Sequence, residues 1–273
     1  MNNIKKNTLY LIAEISANHC GNFEKAKKLI SLAKQKGFDA VKLQTYTPDT
    51  MTINSDNKNF KIKKGIWKGK KLWNLYHEAQ TPYAWHENLF KFEKKKKITC
   101  FSTPFDETAI KLLEHLNCPF YKVASHEITD LPLIKKIAKT KKKIIISTGM
   151  ANLNEINDAY FTAKNNGASE VILLYCVSSY PADKNHFNLN NIKILKEKFK
   201  CRVGFSDHSN ENIIASSAVS AGAEIIEKHI AFSNLDKSLD INFSIKKNEI
   251  DTFVKQLRLT YSLLGKKIFF RSK

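Results

Sequence analysis

KIIISTGMANLNEINDAYFTAKNNGASEVILLYCVS, residues 143–178, reads as a strand, a helix and a second strand. The run at 143–148 is apolar without alternation, as a strand buried on both faces requires. Asn152, with Glu155 three positions on, is a capping box that starts a helix over 153–166. Gly167 stands where that helix must end, and 171–178 is apolar again. Working outward, the same alternation recurs in both directions. Apolar runs at 9–16, 40–45, 98–103, 120–125, 201–207 and 225–230 complete a set of eight candidate strands. Helical spacing lies between them at 23–36, where Ala26, Leu29, Ile30 and Ala33 share a face, and at 106–116, 130–139, 211–221 and 247–264. Asp106 and Asp130 are start signals, and Gly37, Gly222 and Gly265 are stop signals.

Alternation of strand and helix implies a parallel sheet. Eight repeats in 273 residues favour closure into a (β/α)8 TIM barrel, which takes about 250 residues. An open, doubly wound dinucleotide fold wants GxGxxG after its first strand, and none is there. The expectation is one barrel domain over 1–273 with a long insertion, 46–80, between strand two and its helix. That insertion is polar and Lys-rich but carries Trp67, Trp73 and Tyr76. A loop following a barrel strand lies on the catalytic face, where it can serve as a lid.

Hydrophobic residues are 42% of the chain and charged residues 26%, which are globular values and exclude a disordered chain. The net charge of +19 raises nucleic acid, membrane surface and anionic substrates as partners. Arg occurs only at Arg202, Arg258 and Arg271, so nearly all of the basic residues are Lys. Phosphate and base readers recruit Arg, whose fork matches those groups. A solvated Lys surface is therefore the expectation, without nucleic acid. The cysteines, Cys20, Cys100, Cys118, Cys176 and Cys201, are odd in number and form no CxxC, which points to free thiols in a reducing compartment. No segment approaches 18 consecutive apolar residues and the N-terminus lacks a signal-peptide pattern, so a cytoplasmic protein without a membrane span is expected.

A barrel places its chemistry at the carboxyl ends of its strands. Here those ends carry Glu14, Ser16, Asn18 and His19; Lys42 and Gln44; Ser102 and Thr103; Lys122, Ser125 and Glu127; Ser147 and Thr148; Ser178, Ser179 and Tyr180; Ser206, Asp207 and His208; and Glu227, Lys228 and His229. His208 and His229 end adjacent strands, and neutral imidazole is a common ligand of first-row divalent ions. Glu14 or Asp240 would share the ion or its waters; the plain alternative is two satisfied rim histidines. Lys42 and Lys122 interrupt apolar runs, and a lysine is almost never buried without a partner. Three readings stay open for them: an anion cup with Thr103, Ser125, Ser147 and Ser206, a Schiff-base lysine, or pairing with Glu127 or Glu227 across the barrel. Glu14, Glu127, Glu227 and Asp240 would orient hydroxyls or move protons. His77, His86, His115, His126 and His186 attract no functional reading.

These residues stand in ordered strings: IAEISANHCGN, AVKLQTYTPD, FSTPFD, YKVASHEI, ISTGMA, SSYPA, GFSDHS and IIEKHIAF. In that order, over about 8–272, the chain resembles the sialic acid synthase family. Residues 65–90, GIWKGKKLWNLYHEAQTPYAWHENLF, are similar to its pseudaminic branch rather than to the N-acetylneuraminate or legionaminate branches. The resemblance implies a carbon–carbon bond-forming transferase of the barrel fold. C3 of phosphoenolpyruvate attacks the aldehyde of an open-chain N-acetylated amino sugar, water adds at C2, and phosphate leaves by C–O cleavage. It implies a divalent ion, manganese with magnesium or cobalt as alternatives, on His208 and His229. It assigns Lys42, Thr103, Lys122, Ser125, Ser147, Ser178 and Ser206 to phosphoenolpyruvate, with Ser178 standing where the sialic branch has Asn. Gln44, Glu127, Tyr180 and Asp240 would meet the sugar, and Glu14 would act on the water or on the metal-bound hydroxyl. In the family the lysines serve as charges, against the Schiff-base reading. Members also carry a C-terminal domain resembling type III antifreeze protein, which reaches across a dimer with a sugar-contacting Arg. This sequence stops at FFRSK, so the expectation is a barrel without that domain and a homodimer weakened by its loss.

Overall fold

The computed structural model describes residue 4, residues 8–180 and residues 182–265. Pro181 of the SSYPA string and FFRSK at the end of the sequence lie outside them. Eight parallel strands form the sheet: β1 Tyr10–Glu14, β2 Ala40–Thr45, β3 Thr99–Pro104, β4 Phe120–Val123, β5 Lys143–Ser147, β6 Val171–Cys176, β7 Val203–Asp207 and β8 Ile225–Ala231. Each pairs with the next, and β1 also pairs with β8, which closes the barrel. A two-residue strand, β9 Ile245–Lys246, extends β8 at its carboxyl end. All eight predicted strands are present: β4, β5, β6 and β7 are shorter by one or two residues and β1 by three, β2 matches, β3 is shifted by one and β8 is one longer.

The helices are α1 Phe23–Gln35, α2 Pro48–Met51, α3 Leu72–Ala79, α4 Tyr83–Lys96, α5 Glu107–His115, α6 Leu131–Ala138, α7 Leu153–Asn165, α8 Asn191–Phe199, α9 Asn212–Ser220 and α10 Ile250–Leu263. Their starts follow the chemistry that the sequence supplies. Asp106 accepts from the Thr108 and Ala109 amides, Asp130 accepts from Leu133 N–H, and Asn152 with Glu155 forms the complete capping box. Helix α1 buries Ala26, Leu29, Ile30, Leu32 and Ala33, the stripe that its spacing predicts plus Leu32. Two features depart from the sequence reading. Helix α8 went unread because NIKILKEKF mixes its buried Ile192, Leu195 and Phe199 with an exposed Ile194 and three lysines, which blurs the 3.6-residue period. The 46–80 insertion is not a bare loop: it holds α2 and α3, which pack on each other, and Trp73 Nε1 donates to Asp49 Oδ1 at 2.8 Å between them.

Candidate active site

Register decides which strand-end residues meet. Successive side chains point to opposite faces of a strand, so partners in register share a face. Glu14 of β1 stands opposite Lys42 of β2 and opposite His229 of β8. Ser206 of β7 stands opposite Cys176 of β6 and Glu227 of β8. Closure of β1 against β8 therefore brings the two ends of the chain's chemistry together.

The lysines are paired inside the barrel. Lys42 Nζ lies 2.8 Å from Glu14 Oε2 and 3.2 Å from Glu227 Oε1. Lys122 Nζ donates to the same Glu227 Oε1 at 3.1 Å, and Ser206 Oγ donates to it at 3.0 Å. Of the carboxylates weighed for pairing across the barrel, Glu227 makes the contact. Burial pushes Glu14 up to about 7; Lys42 opposes the rise and Glu227 adds to it. For Glu227 burial also acts upward, but the ammonium groups of Lys122 and Lys42 outweigh it and hold it well below the usual carboxylate range. Burial draws Lys122 down, against the pull of Glu227. Two lysines thus face one firmly ionised carboxylate and a second, Glu14, that burial pushes toward its neutral form. Around this cluster Thr103 Oγ1 and Ser147 Oγ are buried without a hydrogen-bond partner, and Ser178 Oγ is buried beside the Tyr180 hydroxyl. Ser125 Oγ sits 3.1 Å from Cys176 Sγ and accepts from Gly149 N–H at 3.2 Å. Gly149 is required there, because a Cβ would lie 2.5 Å from Ser178 Oγ and 2.8 Å from Cys176 Sγ. Orphaned buried hydroxyls are rare in folded proteins and mark a site that expects a ligand or water.

The histidine rings converge as their strand positions require, with centroids 5.7 Å apart. Burial lowers His208 to about 4 and also lowers His229, so both are neutral. His208 Nδ1 bonds the Val177 carbonyl at 3.1 Å, which fixes that nitrogen as the donor and leaves Nε2 as a lone pair. His229 Nδ1 is buried without a hydrogen-bond partner; Asp240 Oδ2, at 3.7 Å, is too far for one. Phe243 packs on both rings, and Tyr180 packs on His208 with centroids 4.6 Å apart. Two neutral imidazoles, one with a bare buried nitrogen, suit a first-row divalent ion. No cluster of three metal-ligating side chains occurs among the described residues, so such an ion would take further donors from water or substrate.

Next to this centre opens a cavity of about 420 Å³. Gln44, Glu127, Tyr180 and Asp240, the four residues assigned to the sugar, all line it, together with His229 and Ser178. Burial pushes Glu127 up to about 7, and its Oε2 is unpartnered. The lysines and the hydroxyls of Thr103, Ser125, Ser147 and Ser206 belong to the buried cluster rather than to the cavity lining. Tyr46, Met51, Trp67, Leu75 and Tyr76 of the insertion, with Phe105 and Phe243, are among the other residues that line it. These apolar contributors carry no signal of chemistry in sequence; only the aromatic residues of the insertion hinted at them. His126 also lines the cavity. His86 is fully buried and bonds Thr45 Oγ1 at 2.8 Å behind the sheet. A second cavity, about 410 Å³, lies on the outward side of β8; its Lys228 and Lys246 already donate to backbone carbonyls.

Fold and site together define a (β/α)8-barrel protein with a buried centre of paired lysines and carboxylates at the carboxyl ends of its strands. The chain belongs to the NeuB family, whose profile matches residues 29–269. It is 42% identical over 257 residues to the pseudaminic acid synthase of Campylobacter jejuni subsp. jejuni, covering 94% of this chain and 75% of that protein. It is 40% identical to the pseudaminic acid synthase of Helicobacter pylori, covering 93% and 75%. The crystal structure of N-acetylneuraminic acid synthetase from Leptospira borgpetersenii in complex with citrate superposes with a TM-score of 0.87 at 30% identity, covering 99% of this chain and 88% of that one.

Proposed function

We propose that the chain is a pseudaminic acid synthase, joining phosphoenolpyruvate to 2,4-diacetamido-2,4,6-trideoxy-L-altrose with water to give pseudaminic acid and phosphate. The observation that carries this reading is the buried cluster of Lys42, Lys122, Glu14 and Glu227 beside the unpartnered hydroxyls of Thr103 and Ser147. An enol phosphate brings the anionic oxygens that Thr103 and Ser147 lack, while Ser125, Ser178 and Ser206 stand within the same ring. Similarity to the two pseudaminic acid synthases supports the choice of sugar.

His208 and His229 would hold the divalent ion, manganese in this reading, and the ion would act as a Lewis acid on the sugar aldehyde. The chain's own residues do the rest. Gln44, Tyr180 and Asp240 orient the acceptor at the cavity wall, and Glu127, poised near neutrality, exchanges a proton with a sugar hydroxyl. Glu14, raised to about 7, takes a proton from the water that adds at C2. Burial of the cluster excludes bulk water, so that one positioned water competes. Both lysines are tied to Glu227, so neither offers the free amine of a Schiff-base aldolase. A cytoplasmic homodimer goes with this reading.

The test supplies phosphoenolpyruvate, Mn2+ and candidate sugars in parallel and measures phosphate. Release is expected with the diacetamido-trideoxy sugar and little with N-acetylmannosamine; release with N-acetylmannosamine alone would assign the chain to the N-acetylneuraminate branch instead.

A further inference from the structure

The string SANHCGN places Asn18 and His19 just beyond β1, and the proposed reaction uses neither. Asn18 is fully buried, and its partners lie 212 to 226 positions along the chain. Its Nδ2 donates to the Ile230 carbonyl of β8 at 2.8 Å and to Ser244 Oγ at 2.8 Å. Its Oδ1 accepts from Ser238 Oγ at 2.5 Å. Both serines then bond the same residue. Ser244 Oγ, which accepts from Asn18, donates to the Asp240 carbonyl at 2.7 Å. Ser238 Oγ, which donates to Asn18, accepts from the Asp240 N–H at 3.2 Å. A hydroxyl has one proton to give, so Asn18 decides which way each of them points. One amide thereby sets two hydroxyls to hold the backbone of Asp240 on both sides. The Asp240 carboxylate is met from the segment that carries Asn18: Ala17 N–H donates to its Oδ2 at 3.1 Å, and Ser16 bonds it as well. Asp240 lines the cavity, with Oδ2 3.7 Å from His229 Nδ1.

We propose that Asn18 is a positioning residue for the reaction: through Ser238 and Ser244 it fixes where Asp240 presents its carboxylate to the acceptor sugar. The inference rests on the reading of Asp240 as a sugar contact and deepens it. The bond to Ile230 ties the end of β1 to β8 and would serve any barrel. The two serine bonds lead instead to a loop residue that lines the cavity. A loop residue has no strand register to hold it, so its aim depends on such ties. Removing the centre of the network releases both hydroxyls at once. A displacement of about 1 Å in an orienting group can cost about 100-fold in rate.

The experiment follows the two substrates separately on the full chain. Phosphate release gives kcat and both KM values, and quenching of tryptophan fluorescence gives Kd for the 2,4-diacetamido-2,4,6-trideoxy sugar without turnover. Asn18→Ala, and Asn18→Asp, which removes both donors at nearly unchanged volume, should raise KM and Kd for the sugar about 10- to 100-fold. KM for phosphoenolpyruvate should stay within about twofold. Ser238→Ala should weaken the sugar less, and Ser238→Thr, which keeps the hydroxyl, should bind it as the parent does. Asp240→Ala sets the limit: Asn18→Ala placed on top of it should cost nothing further in sugar binding, because members of one network do not add. A residue that merely supports the fold would raise both KM values and add to Asp240→Ala, and that result overturns the inference. If Asp240→Ala weakens the sugar while the Asn18 and Ser238 variants bind it as the parent does, the inference fails and the sugar reading stands. If Asp240→Ala leaves sugar binding unchanged, or the parent binds no sugar, both fail. If phosphate is never released but the Kd values follow this pattern, the proposed reaction fails and the positioning role stands. Ser238 is only half-buried, so the Ser238 pair carries the test should the Asn18 variants not fold.

Discussion

His208 and His229 are neutral because they are buried, and neutrality is what a metal-binding imidazole needs. Replacing either by Ala should lower phosphate release by about 100-fold or more and weaken Mn2+ binding with it; unchanged release in both variants would remove the ion from these residues. Glu127 allows a cleaner test of environment. Burial raises it to about 7, above its unfolded value, so the fold favours the protonated acid. The folded state therefore loses stability as pH rises from the ordinary carboxylate range through about 7. Glu127→Gln removes that loss. Urea unfolding midpoints should show the variant gaining more on the parent at pH 8 than at pH 5, and an equal difference at both would mean that the carboxyl is not held protonated. The identities of the site residues were legible in the sequence because charge and imidazole stand out in apolar runs. Their pairing was not. Lys42 and Lys122 had three open readings, and only the register of β8 against β1 and β7 put Glu227 between them.

At the scale of elements, β7 shows how tightly the site's platform is packed. A Cβ on Gly204 would meet the Ile225 carbonyl and lie 2.6 Å from Leu174 Cδ2. Backbone cannot yield as a flexible side-chain tip can, so Gly204→Ala should cost about 1–3 kcal/mol in chemical denaturation, together with activity, since Ser206 and Asp207 ride on the same strand. A stability within about 0.5 kcal/mol of the parent would mean that β7 and β8 separate more easily than their pairing suggests. Strand and helix positions followed from apolar runs, capping residues and terminal glycines, which are local signals. Helix α8 escaped because its one exposed Ile and its lysines weaken the periodicity on which such reading depends. The insertion escaped for another reason. Its α2 and α3 are short and take their order from each other and from the barrel mouth, through Trp73 to Asp49 and Trp67 to Leu239.

Over the whole molecule, the barrel is held by strand pairing closed through β1 and β8 and by the apolar layer between sheet and helices. Adding EDTA should therefore abolish phosphate release, and Mn2+ should restore it, while the far-UV circular dichroism stays unchanged; loss of the helical signal would make the ion structural. The net charge of +19 is Lys-rich and dispersed, so duplex DNA should bind no tighter than the non-specific range of about 10⁻⁴–10⁻⁶ M at physiological salt, measured by fluorescence anisotropy. Specific nanomolar binding would overturn the reading of that surface as solvation. No helix among the described residues is long and apolar enough to cross a membrane. The sequence by itself determined the alternation, the number of strands and the residue types at their ends, because periodicity, caps and polar interruptions act over a few residues. Tertiary structure decided which carboxylate meets which lysine, that Glu14 is raised while Glu227 is lowered, and that aromatic residues of the insertion line the same cavity as Gln44, Glu127 and Asp240. Those outcomes depend on burial and on contacts between residues as far apart as Glu14 and Glu227, and burial exists only once the barrel has closed.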